Sequence, residues 1–319
     1  MTGRDLLALA RSTLASALIF LAGAMVPIAG GVLIVFTPAP ILGFVVGFSR
    51  PYLRMACAVA LTAALVAAGG GLIAAGSYLV TFGLATAVMC QMLERRRPFE
   101  LIVICTTAAL IVAGTLAALA LAGSPALLAQ SMHSDLVKAV AGGEKFYKMA
   151  GIESGLSAET RASIVDAVLR LSPALIAVTT AFMVLFNLGV FWRIGGKEQR
   201  LGYTLFGDLV RWATPEWLIW VLLVAGFGLF IPLASLSTIA LNCFVCVIAV
   251  YFCQGLSIMA FYFKVLAMPP LARGLIYFVT VVQPVLAALV CTAGIFDLWI
   301  DFRRLKPPSQ EARNLGDFL

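Results

Sequence analysis

Charged side chains are almost absent from the long apolar stretches of this chain. Lysine, arginine, aspartate and glutamate make up 12% of its 319 residues, whereas a soluble domain carries about 25%. Pumps, proton-coupled carriers and intramembrane hydrolases usually place ionisable groups inside the membrane, so this scarcity argues against those classes. Seven apolar stretches have no charge in their interior, and an eighth carries one acid, Asp297, near its end: residues 13–36, 55–71, 77–92, 101–122, 173–191, 217–234 and 238–263, with 274–300 as the eighth.

Residues suited to metal and nucleophilic chemistry are equally scarce. The only histidine is His133, and all seven cysteines lie within apolar stretches far from it in sequence. Cys243 and Cys246 form a C-x-x-C pair, but no second pair completes a metal site. The metalloprotease, nucleophile-elbow, Walker and kinase motifs are missing. The sequence therefore predicts no enzyme, no metal and no cofactor.

Hydrophobic residues make up 62% of the chain, and its mean hydropathy is +1.04. A helix needs about 20 apolar residues to cross a bilayer. The apolar stretches lack the alternation of barrel strands, and backbone groups in lipid must bond internally. We therefore expect an all-α, polytopic transmembrane helical bundle of about eight or nine spans. It forms a single membrane domain over residues 1–319, of which 305–319 are a polar tail.

The positive charges indicate how the chain is oriented. The formal net charge is +7. Arginine and lysine cluster between alternate apolar stretches, whereas the intervening connections, residues 37–40, 69–71 and the stretch around Ser235, carry no positive charge and are expected outside. The Lys/Arg bias of cytoplasmic loops accounts for this excess, so no nucleic acid partner is predicted. The rule places the N-terminus and the arginine clusters in the cytoplasm. It requires residues 41–48, too short for an ordinary span, to return the chain to the inside.

The last apolar stretch leaves the side of the C-terminus open. By alternation this stretch should end outside, yet Arg303, Arg304 and Lys306 follow it and favour the cytoplasm. Pro284 lies in its middle. Either the C-terminus is external, or Pro284 separates two half-helices that return the chain to the inside.

Two polar segments are expected to lie on the membrane surfaces. Residues 124–171 have cancelling charges and helical apolar spacing, with Ser157 as an N-cap. They are predicted to be an external amphipathic loop, serving either as a lid over a cavity or as a solvated connector. Residues 196–215 place Leu201, Leu205, Leu209 and Trp212 near one helical face, which predicts a cytoplasmic interfacial helix, with partner docking as the alternative.

A candidate ligand site comes from uncharged polar residues near the membrane midplane. Gln254 and Gln283 lie about 15 Å from the same membrane face by helical rise. Pro284 cannot donate to the carbonyl of Thr280, which frees that acceptor. With Ser257, these groups are expected to meet and to bind a neutral or amphipathic ligand. The alternative is that they are interhelical hydrogen bonds that only stabilise the bundle.

A second helix-breaking region lies in the first apolar stretch. Pro27 is followed by Gly30 and Gly31, and Pro27 frees the carbonyl of Gly23. Irregular backbone at membrane depth is tolerated where it is buried or lines a cavity. Gly23 and Pro27 are therefore added to the candidate ligand site. Asn187 is interpreted as a packing residue.

Small residues recur at helical spacing on several spans, for example Ala109, Ala113 and Ala117. Such stripes let helix backbones approach closely. They predict packing within the bundle, with docking to a membrane-protein partner as the alternative.

Several short motifs in the C-terminal part resemble those of a known family. They are the runs Trp212 to Trp220, Tyr251 to Ser257 and Gly294 to Arg303, together with Asn242. On these residues the chain resembles the YybS-like bacterial membrane proteins, a family with a domain of unknown function. That family is distantly similar in layout to the S components of energy-coupling-factor vitamin transporters, which enclose a ligand within about six helices. The resemblance implies a six-segment, S-component-like unit over residues 1–194 and additional C-terminal helices over 195–304. It implies a multi-pass protein of the bacterial cytoplasmic (inner) membrane, with no assigned substrate and no catalytic residues.

Two functions remain open at this point. The first is a membrane protein that binds or transports a neutral or amphipathic small molecule or lipid. The alternative is a non-transporting scaffold that organises partner membrane proteins. A carrier should have an internal cavity that reaches Gln254, Gln283 or the break at Pro27 to Gly31. A scaffold should be close-packed there and should expose an uninterrupted small or apolar face instead. In both cases membrane lipids are partners.

Overall fold

The protein is described by a computed structural model. It describes residues 3–26, 29–46, 50–149, 157–194, 205–206 and 208–304. The described residues are helices joined by short turns, without strands, so the predicted all-α class is confirmed for them. The chain divides into two compact units, Met1–Phe206 and Gly207–Leu319, where the sequence predicted one domain.

The N-terminal unit contains eight α-helices and one π-helical turn within its described residues. These are α1 (Gly3–Met25), α2 (Ala29–Ile34), α3 (Ala39–Val45), α4 (Pro51–Tyr78), the π-helical turn Leu79–Gly83, α5 (Leu84–Glu94), α6 (Phe99–Ala122), α7 (Pro125–Met149) and α8 (Ala158–Ile194).

Helices α2 and α3 together return the chain along α1. A Cβ atom placed on Gly30 would lie 2.1 Å from the carbonyl oxygen of Gly23, so α2 packs directly on the last turn of α1. Further along, Ser16 donates to the carbonyl of Thr37 over 2.7 Å. The sequence predicted that residues 37–40 connect two spans outside the membrane. That prediction is wrong, because Thr37 lies beside the middle of α1.

Helix α4 folds back on itself at Gly71. This glycine has φ 84° and ψ 175°, within an otherwise helical run. A Cβ on Gly83 would lie 3.1 Å from Val59, although the two residues lie on opposite sides of Gly71 in sequence. The run is therefore two antiparallel legs, and the predicted connection at residues 69–71 is confirmed. Cross-leg packing of Ala63, Val66, Ala75, Tyr78 and Phe82 around Phe20 fills one core cluster.

The polar stretch after α6 is more helical than expected. It contains all of α7, and the first turns of α8 continue without a break through Pro173 into the apolar part of α8. Ser157 accepts a hydrogen bond from the backbone N–H of Thr160, so the predicted N-cap is confirmed. Arg161 pairs with Glu144 over 3.3 Å and joins α8 to α7.

The C-terminal unit contains a 3₁₀ turn, Leu209–Arg211, and four α-helices among its described residues. They are α9 (Leu218–Gly228), α10 (Ala234–Val265), α11 (Pro270–Val282) and α12 (Pro284–Ile300). The predicted interfacial helix is wrong over its described C-terminal part. After the 3₁₀ turn, Trp212 is extended (φ −63°, ψ 131°), and no α-helix begins before Leu218. Most of residues 196–207, including Leu201, lies outside the described residues.

Helices α11 and α12 meet at a bend of 101°. Gln283 is the one extended residue between them, and Pro284 begins α12, so the predicted break at Pro284 is confirmed. The hydroxyl of Tyr262, near the end of α10, donates to the carbonyl of Phe302 over 3.0 Å. The residues after α12 therefore lie at the same end of this unit as the end of α10. The sequence left open an external C-terminus or two half-helices at Pro284. This geometry matches the two half-helices, which return the chain to the side from which it came.

Five helical runs in the described residues are long and apolar enough to cross a membrane, or six with the α11–α12 pair. The run Pro51–Glu94 counts once among them, although it consists of two legs. Helix α9 and the run Gly30–Val45 are apolar but shorter. Counted by helix length and composition, the described residues therefore contain fewer spans than the eight or nine that the sequence predicted.

Substitution of Gly71 tests the turn in α4. Replacing Gly71 by alanine should destabilise the protein by about 1–3 kcal/mol, because this backbone conformation is open almost only to glycine. Gly76 in the same helix has nothing within 4 Å of an added Cβ. Gly76→Ala should therefore be neutral or slightly stabilising. Thermal melting of both variants in detergent checks the difference, and equal melting curves would contradict a turn at Gly71.

Candidate functional site: two helix breaks held by buried polar side chains

A buried ion pair lies at the end of α12. Arg303 Nη2 is 2.6 Å from Asp297 Oδ2, and the two side chains are 0% and 5% exposed. The pair forms because Asp301 has a left-handed backbone (φ 47°) that turns the chain back over the end of the helix. The N–H of Phe302 also donates to Asp297 Oδ1 over 3.1 Å. The returning chain thus covers Asp297 and brings Arg303 onto it.

Gln254 on α10 joins this ion pair to the segment before α9. Its Nε2 donates to Asp297 Oδ2 over 3.0 Å. Its Oε1 accepts from the N–H of Thr214 over 3.1 Å and from the Thr214 hydroxyl. Both polar ends of the amide are thus bonded within the protein.

Ser257 and Arg303 hold the backbone of the same segment. Ser257 donates to the carbonyl of Leu209 over 2.6 Å. Arg303 Nη1 donates to the carbonyls of Val210 and Trp212 over 3.0 and 2.8 Å. Carbonyls outside regular helix need partners when they are buried, and these two side chains supply them.

Close helix packing brings the donors and acceptors together. A Cβ on Gly255 would lie 2.0 Å from the carbonyl oxygen of Val290. One on Gly294 would lie 2.1 Å from that of Tyr251. Only glycine allows α10 and α12 to approach this closely, so Gln254 reaches Asp297 directly. We call the group Thr214, Gln254, Ser257, Asp297 and Arg303 the ionic clamp.

The ionic clamp does not include all of the residues that the sequence grouped with Gln254. Gln254 and Ser257 belong to it. Thr280 is buried but donates to the carbonyl of Ile276 in its own helix. Gln283 is exposed at the bend between α11 and α12. The predicted meeting of Gln254 with Gln283 is therefore wrong, because the bend between α11 and α12 leaves Gln283 on the surface of the unit.

Breaking the ion pair from one side should be costly. Arg303→Met or Asp297→Asn should each lower the free energy of unfolding by about 3–5 kcal/mol, because the remaining charge is left buried without a partner. The double variant should recover part of that loss. Arg304 is exposed, so Arg304→Met serves as the control and should melt like the wild type in detergent. A single variant with unchanged melting would refute the buried pair.

The second group of buried polar side chains lies in the N-terminal unit, around the turn between α2 and α3. Residues 35–38 of this turn are non-helical. Asn187 on α8 donates to the carbonyl of Val35 over 2.7 Å and to that of Met183 over 2.8 Å. Ser16 on α1 holds the carbonyl of Thr37. Side chains from two other helices thus hold this turn.

Tyr78 and Thr62 on the two legs of α4 complete this group. The Tyr78 hydroxyl faces the hydroxyls of Ser16 and Thr62 but makes no well-formed hydrogen bond. The Oδ1 atom of Asn187 is also buried without a partner. We call Ser16, Thr37, Thr62, Tyr78 and Asn187, each with 0% exposure, the turn site. Asn187 Oδ1 is therefore a buried acceptor that no donor among the described residues meets.

The first predicted break lies beside the turn site. Pro27 itself is outside the described residues. Gly23 and Gly30 are buried where α1 and α2 meet, and Gly31 is exposed. The carbonyl of Gly23 packs against Gly30. The contact is close because neither residue has a side chain.

The sequence missed most of the turn site. It treated Asn187 as packing and did not single out Ser16, Thr37, Thr62 or Tyr78. A usable signal was present, since Asn187 is the one asparagine in its apolar stretch and a polar residue at mid-span usually has a partner. For Arg303 there was no comparable signal, because its partner depends on the turn at Asp301.

Neither group resembles a metal centre. Within the described residues no cluster of three or more histidine, cysteine, aspartate or glutamate side chains could hold an ion. The ionic clamp is neutral and nearly fully bonded, which suits a structural role. The turn site is uncharged and not fully bonded.

The helices and buried polar turns define an integral, multi-pass helical membrane protein. The chain belongs to the family described as predicted membrane protein (DUF2232), whose model matches residues 14–298. The function of this family is not known, and the YybS-like resemblance is compatible with it. No curated protein matches the chain, and no solved structure does either.

Proposed function

We propose that the protein binds or transports a neutral or amphipathic small molecule or lipid at the turn site. The observation that carries this proposal is the buried acceptor Asn187 Oδ1, which lacks a partner beside a non-helical turn. Broken helices commonly form substrate sites near the midplane of membrane transporters. The likeness to S components agrees with this position in the N-terminal unit, and it stays a prediction.

The ligand site proposed from the sequence thus moves from Gln254 to Asn187. The polar atoms of Gln254 are already engaged by Thr214 and Asp297. Binding a ligand there would first break these bonds. At the turn site Asn187 Oδ1 has no protein hydrogen bond that a ligand would have to break.

Mass spectrometry of the purified protein tests the proposal. The wild type in mild detergent should retain a specific uncharged or amphipathic molecule, and Asn187→Leu should retain at least tenfold less, the effect of about 1.4 kcal/mol. Tyr78→Phe, which removes only one hydroxyl, should also retain less. Thr179 on α8 is exposed and bonds within its own helix, so Thr179→Ala is the matched control.

Equal retention by Asn187→Leu and the wild type would overturn the turn site as the binding site. Melting curves must accompany the comparison. If Asn187→Leu is unstable, the Tyr78→Phe variant decides.

The packing of the C-terminal unit favours the second candidate function, a scaffold. This applies to the C-terminal unit alone. Its helices are packed at glycine contacts, and α11 exposes Leu271, Leu275 and Phe278. A close-packed unit with an apolar face suits docking of partner membrane proteins. If the wild type retains no specific molecule, this function becomes the better proposal for the whole chain.

We further propose an orientation with eight crossings and one re-entrant pair. The crossings are α1, the broken α2–α3 leg, the two α4 legs (the second continuing into α5), α6, α8, α9 and α10, followed by α11–α12. In each unit this path brings the arginine clusters to one end. The ion pair between Asp5 and Arg54 (3.0 Å) supports it, because it joins the start of α1 to the start of α4. The positive-inside rule then assigns that end to the cytoplasm of a bacterial inner membrane.

Reporter fusions test this orientation. Green fluorescent protein fused after Leu319 should fluoresce, because the C-terminus is cytoplasmic. Alkaline phosphatase fused after Gly123 should be active, because α6 ends outside. The same enzyme fused after Arg97 is the control and should be inactive. An active phosphatase at the C-terminus would contradict the re-entrant pair.

A further inference from the structure

The hydrogen-bond inventory of the turn site limits what can bind there. Both N–H groups of Asn187 are used, on the carbonyls of Val35 and Met183. A side-chain amide has only these two donors. What Asn187 still offers is an acceptor, Oδ1, and this atom is buried and unpartnered.

The neighbouring hydroxyls have also used their hydrogens. Ser16 donates to Thr37, Thr37 to Ile34 and Thr62 to Ala58, over 2.7, 2.6 and 2.8 Å. Each hydroxyl has one hydrogen and two lone pairs, so only lone pairs remain on these three oxygens. Tyr78 has the remaining hydrogen of the group, and this hydroxyl faces the lone pairs of Ser16 and Thr62. The turn site therefore has more acceptors than donors.

The site has no charge to balance an ion. Among the described residues of the N-terminal unit, Arg54 is the one buried charged side chain, and it is paired with Asp5. Burying an unpaired charge is far more costly than burying a neutral polar group. The neighbouring side chains are apolar. Phe20 and Phe82 pack beside Tyr78, and Met183 and Ile34 border the same cluster.

We propose that the turn site takes a ligand with an uncharged hydrogen-bond donor, an alcohol or amide, on an apolar body. The donor binds Asn187 Oδ1. This inference rests on the proposed function and names the ligand class at the same site. A buried water at Asn187 is the competing occupant, since water also donates.

The chain offers a direct readout of this bond. It contains three asparagines, Asn187, Asn242 and Asn314. Protein labelled with ¹³C and ¹⁵N only in asparagine therefore gives three side-chain carbonyl signals. The variant Asn187→Leu identifies the signal of Asn187 by its loss. Asn242 bonds within its own helix and is the internal control.

Two probes with the same molecular formula test the donor. Octanol has an O–H group, and heptyl methyl ether has none. Added to detergent-exchanged protein, octanol should move the Asn187 carbonyl signal downfield in a saturable way, and the ether should leave it in place. Neither probe should move the signal of Asn242.

Each other outcome contradicts a particular step. If both probes move the Asn187 signal alone, the site binds a ligand and the donor requirement is refuted. If neither moves it, the unpaired oxygen belongs to a water site, and the proposed function at this site fails as well. If Asn187 and Asn242 move together, the effect is that of the detergent phase and the inference is overturned.

Discussion

A backbone group in a lipid environment must find its partner inside the protein, and this constraint accounts for many of the polar side chains that are buried among the described residues. Regular helices satisfy it by themselves. At two places where a helix stops short, side chains from neighbouring helices replace the missing bonds. Ser16 and Asn187 do so at the turn after α2, and Ser257 and Arg303 do so at the segment before α9. The buried polarity therefore follows the breaks in the helices.

The two breaks are repaired differently, and the difference matters for function. The ionic clamp uses a buried ion pair, whose desolvation must be offset by many well-placed bonds, and nearly every atom in it is engaged. Its one buried atom without a partner is Arg303 Nε, on a side chain already held by Asp297 and two carbonyls. The turn site uses neutral groups and leaves an acceptor, Asn187 Oδ1, without a partner. For this reason the uncharged group is the better candidate for binding.

The sequence predicted helices, glycine turns and proline breaks well, because these depend on local chemistry. The turn at Gly71, the N-cap at Ser157 and the break at Pro284 were all identified. Depth estimates from helical rise failed for Gln283, because they assume straight helices and α11 meets α12 at a bend of 101°. The pairing of Asp297 with Arg303 also escaped prediction. It depends on a left-handed residue at Asp301, which composition and periodicity do not reveal.

The fold-back at Gly71 also bears on how the protein enters the membrane. The 44-residue run Pro51–Glu94 has no charge between Arg54 and Glu94. During synthesis nothing in its middle anchors the chain to either side of the bilayer. The charges that can orient the two legs therefore lie at the outer ends of the run. A straight helix of this length would be about 66 Å long, roughly twice the hydrocarbon thickness of a bilayer, so the turn at Gly71 allows the run to fit the membrane.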